Sequence, residues 1–300
     1  MPAFRIALPI VVLGAMLLPS SGASAWTPSP ERIVYISRAD GDQDVYTMNP
    51  DGTGRSGPLT KNSISDCDPV FSPDGSQIAW VSSTAEDISE LWIMDTNGSN
   101  PRQITHGPDP DYVRGPTWSP DGNTIVFQRG MAHGTPAEDH DLHMVRRANG
   151  LWGAEETFVD TAAWEYSPAF ANDGRVAYVS GVPRSDPYQA DIWIRDAAGS
   201  TAPLRTTPGP EGAPSWNFDG TRLAYPRPYG LYMYSTATGQ ETELVARTSG
   251  MPDWASNRNE LIYHYNQSNT DLFRLDMRTS RWRTTNITKG SKAVDADGDW

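Results

Sequence analysis

The chain has 300 residues, a formal net charge of −13 at pH 7 and a single cysteine. This negative charge argues against a protein that binds nucleic acid or an anionic membrane surface, because both attract basic proteins. The length is sufficient for one large all-β domain or for two smaller domains.

Residues 1–25 have the pattern of a secretory signal peptide. Arg5 gives a positive start, residues 6–18 are apolar, and Ala-Ser-Ala at 23–25 is a small-residue cleavage signature. A membrane-spanning helix needs about 20 apolar residues, so a cleaved leader is favoured over an uncleaved anchor. We predict a mature chain of residues 26–300, with no membrane span, that is secreted or periplasmic.

The single cysteine, Cys67, leaves no partner for an internal disulfide and lies between Asp66 and Asp68. Neighbouring carboxylates disfavour the thiolate form. We therefore predict a small buried or half-buried side chain at this position, and a fold that is stabilised by packing.

One sequence phrase recurs along the chain, as "PVFSPDGSQIAW" at 69–80 and as "PTWSPDGNTIVF" at 116–127. Looser copies begin at Pro168, Pro214 and Pro252. The tetrad Ser-Pro-Asp-Gly suits a type I turn, because proline fixes φ at the second position and glycine closes the fourth. The flanking apolar runs are rich in β-forming residues, so each copy predicts a β-hairpin.

A third predicted strand follows each hairpin and usually opens on an acidic residue, as in "DVYTM" at 44 and "ELWIM" at 90. A turn with Gly or Ser then leads to a short fourth strand, which ends near "PLT" at 58 or "QIT" at 103. Six copies of this pattern occur, and the prolines that open successive phrases are 38 to 52 residues apart. A four-stranded propeller blade takes about 40–45 residues.

We therefore predict an all-β fold, a six-bladed β-propeller of four-stranded antiparallel blades over residues 26–300. A β-sandwich is the alternative all-β fold, but it does not need one hairpin phrase at a regular spacing.

The last residues predict how the ring closes, because "VDADGDW" at 294–300 aligns with "SDCDPVF" at 65–71. We expect residues 294–300 to supply the inner strand of the blade whose outer strands lie within residues 32–60. Trp26 has the spacing of the same inner-strand position, which we assign to Trp300.

The phrase P-x-[WF]-S-P-D-G-x-x-I-[AV]-[WF], followed by D-L-[YW]-x-M and a D-G or N-G turn, resembles the TolB-type WD40-like propeller repeat. The resemblance covers roughly residues 32–300 and is strongest at 69–98 and 116–145. It extends to the propeller portion alone, since TolB carries an additional N-terminal α/β domain. It implies an exported, mostly six-bladed scaffold for protein interactions, without naming a partner.

Four long loops are predicted at one end of the propeller, at residues 106–115, 129–140, 159–167 and 181–190. Binding residues concentrate in loops that a rigid scaffold positions. We predict a partner-binding surface here, and the alternative is that these are ordinary solvated loops. The candidate residues are Asp111, Tyr112, Arg114, His133, Trp164, Tyr166 and Tyr188.

Acidic residues precede the predicted inner strands, where they would converge at the mouth of the central channel. Converging carboxylates repel one another unless a cation lies between them, so Ca²⁺ or Mg²⁺ in the channel is one hypothesis. The alternative is that these residues only form turns. Zinc is a second candidate, held by His133 and His140 with Asp139 or Asp141. The candidate ligands for Ca²⁺ or Mg²⁺ are Asp66, Asp68, Asp295 and Asp297.

The sequence contains no G-x-S-x-G elbow, no H-E-x-x-H motif and no phosphate-binding loop. It therefore predicts a monomeric, non-enzymatic scaffold that binds a protein or peptide through its loop face, without an organic cofactor. The alternatives are a metal-dependent polysaccharide lyase or hydrolase and a glycan-binding propeller. Several tryptophans fall on strand positions, which is typical of packing between blades, and these are Trp80, Trp92, Trp118, Trp193, Trp216 and Trp254.

Overall fold

A computed structural model describes most of the chain from residue 32 onwards. The described ranges are 32–39, 41–85, 88–107, 111–131, 138–181, 189–204, 209–248, 250–255, 259–267, 269–289 and 295–299. The predicted signal peptide at 1–25, and with it Trp26, lies outside them. No helix in these ranges has the length and apolar character needed to cross a membrane.

The regular structure of the described residues consists of twenty-four strands, numbered in chain order. The first twelve are β1 (Ile33–Ser37), β2 (Asp44–Met48), β3 (Asp66–Phe71), β4 (Gln77–Ala85), β5 (Ile88–Asp95), β6 (Arg102–Gln103), β7 (Tyr112–Trp118), β8 (Thr124–Met131), β9 (Asp139–Ala148), β10 (Leu151–Trp152), β11 (Glu156–Val159) and β12 (Trp164–Phe170). The remaining strands are β13 (Val176–Gly181), β14 (Ala190–Arg195), β15 (Thr201–Pro203), β16 (Ser215–Trp216), β17 (Arg222–Arg227), β18 (Gly230–Ser235), β19 (Glu241–Ala246), β20 (Pro252–Trp254), β21 (Glu260–Gln267), β22 (Asn269–Asp276), β23 (Arg283–Asn286) and β24 (Asp295–Asp299).

Within the described residues these strands form six antiparallel sheets, which are the blades of a propeller. Blade two is β3–β6, blade three β7–β11, blade four β12–β15, blade five β16–β19 and blade six β20–β23, while blade one joins β1 and β2 to β24. Five of the sheets have four strands or more, and blade one has three. The predicted all-β propeller is confirmed, and the β-sandwich is excluded.

Two blades depart from the predicted four strands. In blade one, the N–H of Ser56 donates to Thr47 O at 2.7 Å and the N–H of Leu59 donates to Val45 O at 2.8 Å. The segment 56–59 therefore follows β2 without the continuous pairing that defines a strand. In blade three two short strands, β10 and β11, both pair with β9 and together take the place of a single fourth strand.

The recurring tetrad forms the predicted turn. The N–H of Gly75 donates to Ser72 O at 2.8 Å, and Gly75 has a φ of 67°, a left-handed value that glycine adopts without strain. The Ser72 hydroxyl donates to Asp74 Oδ1 at 2.7 Å and accepts the N–H of Gln77 at 2.9 Å. The side chains of this turn thus hold the two strands of the hairpin together.

The ring closes as the sequence predicts. β24 pairs antiparallel with β1, where Asp299 lies opposite Val34 and Asp295 lies opposite Ser37. The Asp299 carboxylate also accepts the N–H of Phe71 at 2.8 Å, which joins blade one to blade two. The choice between Trp26 and Trp300 for this strand lies outside the described residues.

A buried hydrophobic cluster fills each junction between neighbouring blades. The cluster between blades one and six, for example, packs Ile33 and Met48 against Ile262 and Leu272. Trp80, Trp118, Trp216 and Trp254 are buried in these clusters, and Trp92 and Trp193 pack against them, as predicted.

Candidate functional site

A row of three residues across blade three creates the site. Tyr112 on β7 lies opposite Gly130 on β8, and Gly130 lies opposite His140 on β9. A Cβ atom at Gly130 would lie 2.3 Å from Tyr112 Cζ, so only glycine leaves room for the phenol ring above β8. The Tyr112 and His140 side chains therefore meet above the middle strand.

The imidazole of His140 has several polar neighbours. Its Nε2 atom lies 2.8 Å from Tyr112 Oη and 3.2 Å from Glu138 Oε1, and its Nδ1 atom lies 3.3 Å from Gln128 Nε2. His140 is 9% exposed, so its contacts with water are few. A histidine nitrogen that can reach both a phenol and a carboxylate is suited to moving a proton between them.

The next blade covers one face of this ring. The indole of Trp164 on β12 stacks on His140, with ring centroids 4.1 Å apart and an interplanar angle of 24°. Trp164 Nε1 donates to the backbone carbonyl of Glu138 at 3.3 Å. We call Tyr112, Glu138, His140 and Trp164 the loop-face site, because it lies where the predicted long loops join blades three and four.

The environment of Tyr112 keeps its phenol protonated at neutral pH. Burial and the nearby Glu138 carboxylate both raise the pKa of Tyr112 above its usual value, and the Arg114 guanidinium opposes them. Tyr112 therefore keeps its phenolic proton beside His140 Nε2, and the tautomer of the imidazole sets which of the two groups donates.

The structure brings together part of the predicted binding surface. Tyr112 and Trp164 both contact His140. Arg114 is exposed, with its guanidinium carbon 5.9 Å from the Tyr112 ring centroid, and it donates to Cys67 Sγ at 3.0 Å. Asp111 and Tyr166 are half-buried beside them, and His133 and Tyr188 lie outside the described residues.

Cys67 is half-buried, as predicted. Sequence reasoning missed the central position of His140, which it considered only for zinc, and it missed Glu138 and Gln128 altogether. Gly130 is the residue in the sequence that could have indicated the site. The sequence does not show that Gly130 lies between Tyr112 and His140, because that depends on the strand register of the sheet.

The predicted metal ligands separate into different environments. Asp66 is buried and accepts the Trp80 indole N–H at 3.0 Å, and burial raises the pKa of its carboxyl. The structure therefore places Asp66 inside the fold rather than at the channel mouth. Asp68 faces the channel, and its Oδ2 atom accepts the N–H of Gly115 at 2.9 Å. Asp295 and Asp297 lie on β24, and their side chains are outside the described residues.

A cavity of about 270 Å³ lies where the inner strands meet at the axis. Its polar lining is acidic, with Asp68, Asp253 and Asp299 beside the hydroxyls of Thr117 and Ser215. Several of these groups bond to a neighbouring blade, as when Thr117 Oγ1 accepts the N–H of Phe170 at 3.2 Å. Among the residues with described side chains, no group of three or more His, Cys, Asp or Glu could hold a metal ion. Calcium or magnesium in the channel stays a prediction.

Comparison with known proteins identifies the repeat. Residues 15–146 match the family "TolB beta propeller domain". The chain is 33% identical over 121 residues to the "Uncharacterized peptidase YuxL" of Bacillus subtilis, a match that covers 39% of this chain and 18% of that protein. It is 34% identical over 95 residues to the "Tol-Pal system protein TolB" of Anaeromyxobacter dehalogenans, which covers 31% of this chain and 20% of that protein. The chain thus matches less than a quarter of the length of either relative.

Solved structures share the fold at low sequence identity. TolB from Acinetobacter baumannii superposes with a TM-score of 0.71 at 17% identity, over 90% of this chain and 66% of that one. A puromycin-hydrolyzing peptidase of Mycobacterium tuberculosis gives a TM-score of 0.60 at 16% identity, over 89% and 46% of the two chains. An oligogalacturonate lyase in complex with manganese gives 0.60 at 15% identity, over 84% and 73%. At these identities the likeness shows the fold alone.

These comparisons contradict the prediction of a non-enzymatic scaffold. One relative in sequence is a peptidase, and propellers of the same fold occur in a peptidase and in a lyase. The lack of a contiguous catalytic motif does not exclude an enzyme, because residues far apart in sequence can meet through strand register. The comparisons do not favour the lyase or glycan-binding alternatives either. Residues 15–146 thus match the TolB beta propeller domain, and the closed ring of sheets has the β-propeller fold that the repeat phrase resembles.

Proposed function

We propose that the protein is an enzyme that hydrolyses an amide bond in a peptide-like substrate at the loop-face site. The observation that supports this most directly is the position of His140 Nε2, within hydrogen-bond distance of both Tyr112 Oη and Glu138 Oε1. The peptidase relative supports the amide as the bond that is cleaved.

The proposed chemistry is general acid–base catalysis. The His140 imidazole accepts a proton from the water that attacks the amide carbonyl carbon, so that a C–O bond forms. Tyr112 donates its phenolic proton to the departing nitrogen as the C–N bond breaks. The imidazolium then returns its proton to the Tyr112 oxygen, and Glu138 stabilises the positive charge in the meantime.

We also propose that this enzyme works outside the cytoplasm. The sequence pattern of residues 1–25 and the sequence match to TolB support this location. The monomeric state and the protein partner predicted from the sequence are further proposals, and the TolB-type fold is compatible with protein contacts.

The substitution Tyr112→Phe tests the enzyme proposal. It removes only the phenolic oxygen, so we expect hydrolysis of aminoacyl and peptidyl amides to fall about 100-fold, the usual scale for loss of an acid–base group. The measurement is release of the amine product under single-turnover conditions. Leu151→Ala is the control, because Leu151 is 74% exposed at the opposite end of blade three and should leave the rate unchanged. A lack of hydrolysis across the substrate panel, or equal rates in Tyr112→Phe and wild type, would refute the proposal.

A further inference from the structure

Three blades share a latch that joins the third strand to the segment outside it. In blade two, Thr105 Oγ1 donates to the Glu90 carboxylate and accepts the N–H of Leu91 at 2.9 Å. Blade one repeats this arrangement with Thr60 and Asp44, and blade six repeats it with Thr288 and Asp271. We call it the carboxylate–threonine latch, and it satisfies the acidic residue that opens each third strand.

Blade three lacks the threonine of this latch. Val159 pairs with Leu142, the residue that follows Asp141, just as Ile104 in blade two bonds to Leu91. The residue after Val159 is Asp160, so a carboxylate stands in the sequence position that threonine holds in blades one, two and six. Asp141 is 3% exposed, and its Oδ1 atom has no hydrogen-bond partner among the described residues.

Asp141 also differs from Glu90 in the residue that the next blade presents to it. At the junction of blades two and three, Arg129 of blade three lies with Nη2 3.5 Å from Glu90 Oε2. Arg129 pairs with Asp141 in its own blade, and the corresponding pair in blade four is Ser180 with Asp191. Blade four therefore presents Ser180 where blade three presents a guanidinium. The Ser180 hydroxyl is directed at Glu165 Oε1, 3.2 Å away.

The result is an acidic cluster at the junction of blades three and four, formed by Asp139, Asp141, Asp160 and Glu165. Asp141 and Glu165 are buried, Asp139 is half-buried and Asp160 is exposed, so the cluster extends from the interior to solvent. Burial and the charges of Asp139, Asp160 and Glu165 raise the pKa of Asp141 to about 7, against the opposing effect of His143. Arg129, which faces Asp141 from β8, is held by Glu155 and Glu90 instead.

We propose that the acidic cluster binds a cationic group of the substrate, a guanidinium or a primary ammonium, in the place that Arg129 occupies at the preceding junction. This inference rests on the proposed function in naming the bound molecule a substrate. The same protein supplies the precedent, since Glu90 lies beside the Arg129 guanidinium of the neighbouring blade, while blade four presents Ser180 at the corresponding position near Asp141. An organic cation fits better than a metal ion, because no metal-binding group occurs among the residues with described side chains. The substrate class is then a peptide-like amide that carries a positive charge.

Calorimetric titration with Nα-acetylarginine amide tests the proposal. We expect binding at pH 8 that is at least 10-fold tighter than for Nα-acetylcitrulline amide, a neutral molecule of nearly the same shape. Alanine amide, whose only charge is its α-ammonium, distinguishes an amino terminus from a side chain as the bound group.

Two variants follow from the internal template. Asp160→Thr introduces the latch of blades one, two and six, and Ser180→Arg supplies the guanidinium from within the protein. Each should abolish selectivity for the arginine derivative. Glu156→Gln removes one nearby exposed charge without touching the cluster and should bind as wild type does.

Equal binding of the arginine and citrulline amides, or unchanged selectivity in Asp160→Thr, would overturn the proposal. Calcium binding that competes with the arginine amide would assign the cluster to a metal and would also overturn it. The two proposals fail separately. Cation-selective binding without hydrolysis would refute the proposed enzyme. Hydrolysis without charge selectivity would refute the cation site.

Discussion

At the scale of single residues, Glu155 is the clearest example of a charge that the fold requires. Its carboxylate lies 3.0 Å from Arg129 Nε and 2.7 Å from His143 Nδ1. Burial alone would raise its pKa, but hydrogen bonds and charge from His143 and Arg129 lower the pKa of Glu155 to about 2. The Arg129 side chain is 3% exposed, so it depends on carboxylates for its solvation.

We predict that Glu155→Gln destabilises the protein by about 1.5–3 kcal/mol at pH 7, the usual contribution of a hydrogen bond to a charged group. Because the folded pKa lies below the unfolded value of 4.5, the full contribution is present above about pH 4.5. It is lost as the pH falls towards about 2. Urea unfolding at pH 7 and at pH 3 measures both effects. Glu156→Gln is the control, since that side chain is 54% exposed and 3.8 Å from Arg146. Equal stability of the two variants at pH 7 would contradict this account.

At the scale of the strand, the carboxylate–threonine latch explains two features of the repeat at once. In blades one, two and six, an acidic residue near the start of the third strand bonds to a threonine that follows the outermost segment of the blade. In blade six, Thr288 Oγ1 donates to Asp271 Oδ1 at 3.0 Å and accepts the N–H of Leu272 at 3.0 Å. Thr288 is fully buried, so water cannot replace the hydroxyl.

We predict that Thr288→Val costs about 1–3 kcal/mol, because it leaves a buried N–H and a carboxylate oxygen without a partner while it keeps the shape of the side chain. Thr285→Val on β23, three residues before Thr288, is the matched control, since Thr285 is exposed and valine suits a strand. Chemical denaturation measures the difference between the two. A loss below about 0.5 kcal/mol in Thr288→Val would mean that the latch is incidental to stability.

At the scale of the whole molecule, the protein is a ring whose continuity depends on β24. This strand covers one edge of β1, and the cluster of Ile33, Tyr35 and their neighbours lies between blades one and six. An uncovered strand edge exposes backbone N–H and C=O groups that pair with other chains.

We predict that deletion of residues 295–300 lowers the Tm by several degrees or more and promotes aggregation. A loss of about 1 kcal/mol corresponds to about 2–4 °C in a domain somewhat smaller than this one. Thermal unfolding measured by circular dichroism, together with light scattering, tests this. A synthetic peptide of residues 294–300 added to the truncated protein should restore part of the lost Tm. Identical melting of the truncated and full chains would show that closure contributes nothing.

The sequence by itself determined the architecture. Turn tetrads, alternating apolar strands and a repeat of 38 to 52 residues depend on local backbone preferences, which act over a few residues and can be read in order. The closing strand could be predicted for the same reason, because residues 294–300 repeat the pattern of an inner strand.

Only the tertiary structure decided the site. Tyr112 and His140 are 28 residues apart and meet because strand register places Gly130 between them. Among the described residues Asp141 Oδ1 has no hydrogen-bond partner, because Asp160 and Ser180 occupy positions that threonine and arginine fill at another junction. This comparison requires the blades to be aligned in space. Contacts between distant segments depend on register and on packing between blades, and a single sequence records neither directly.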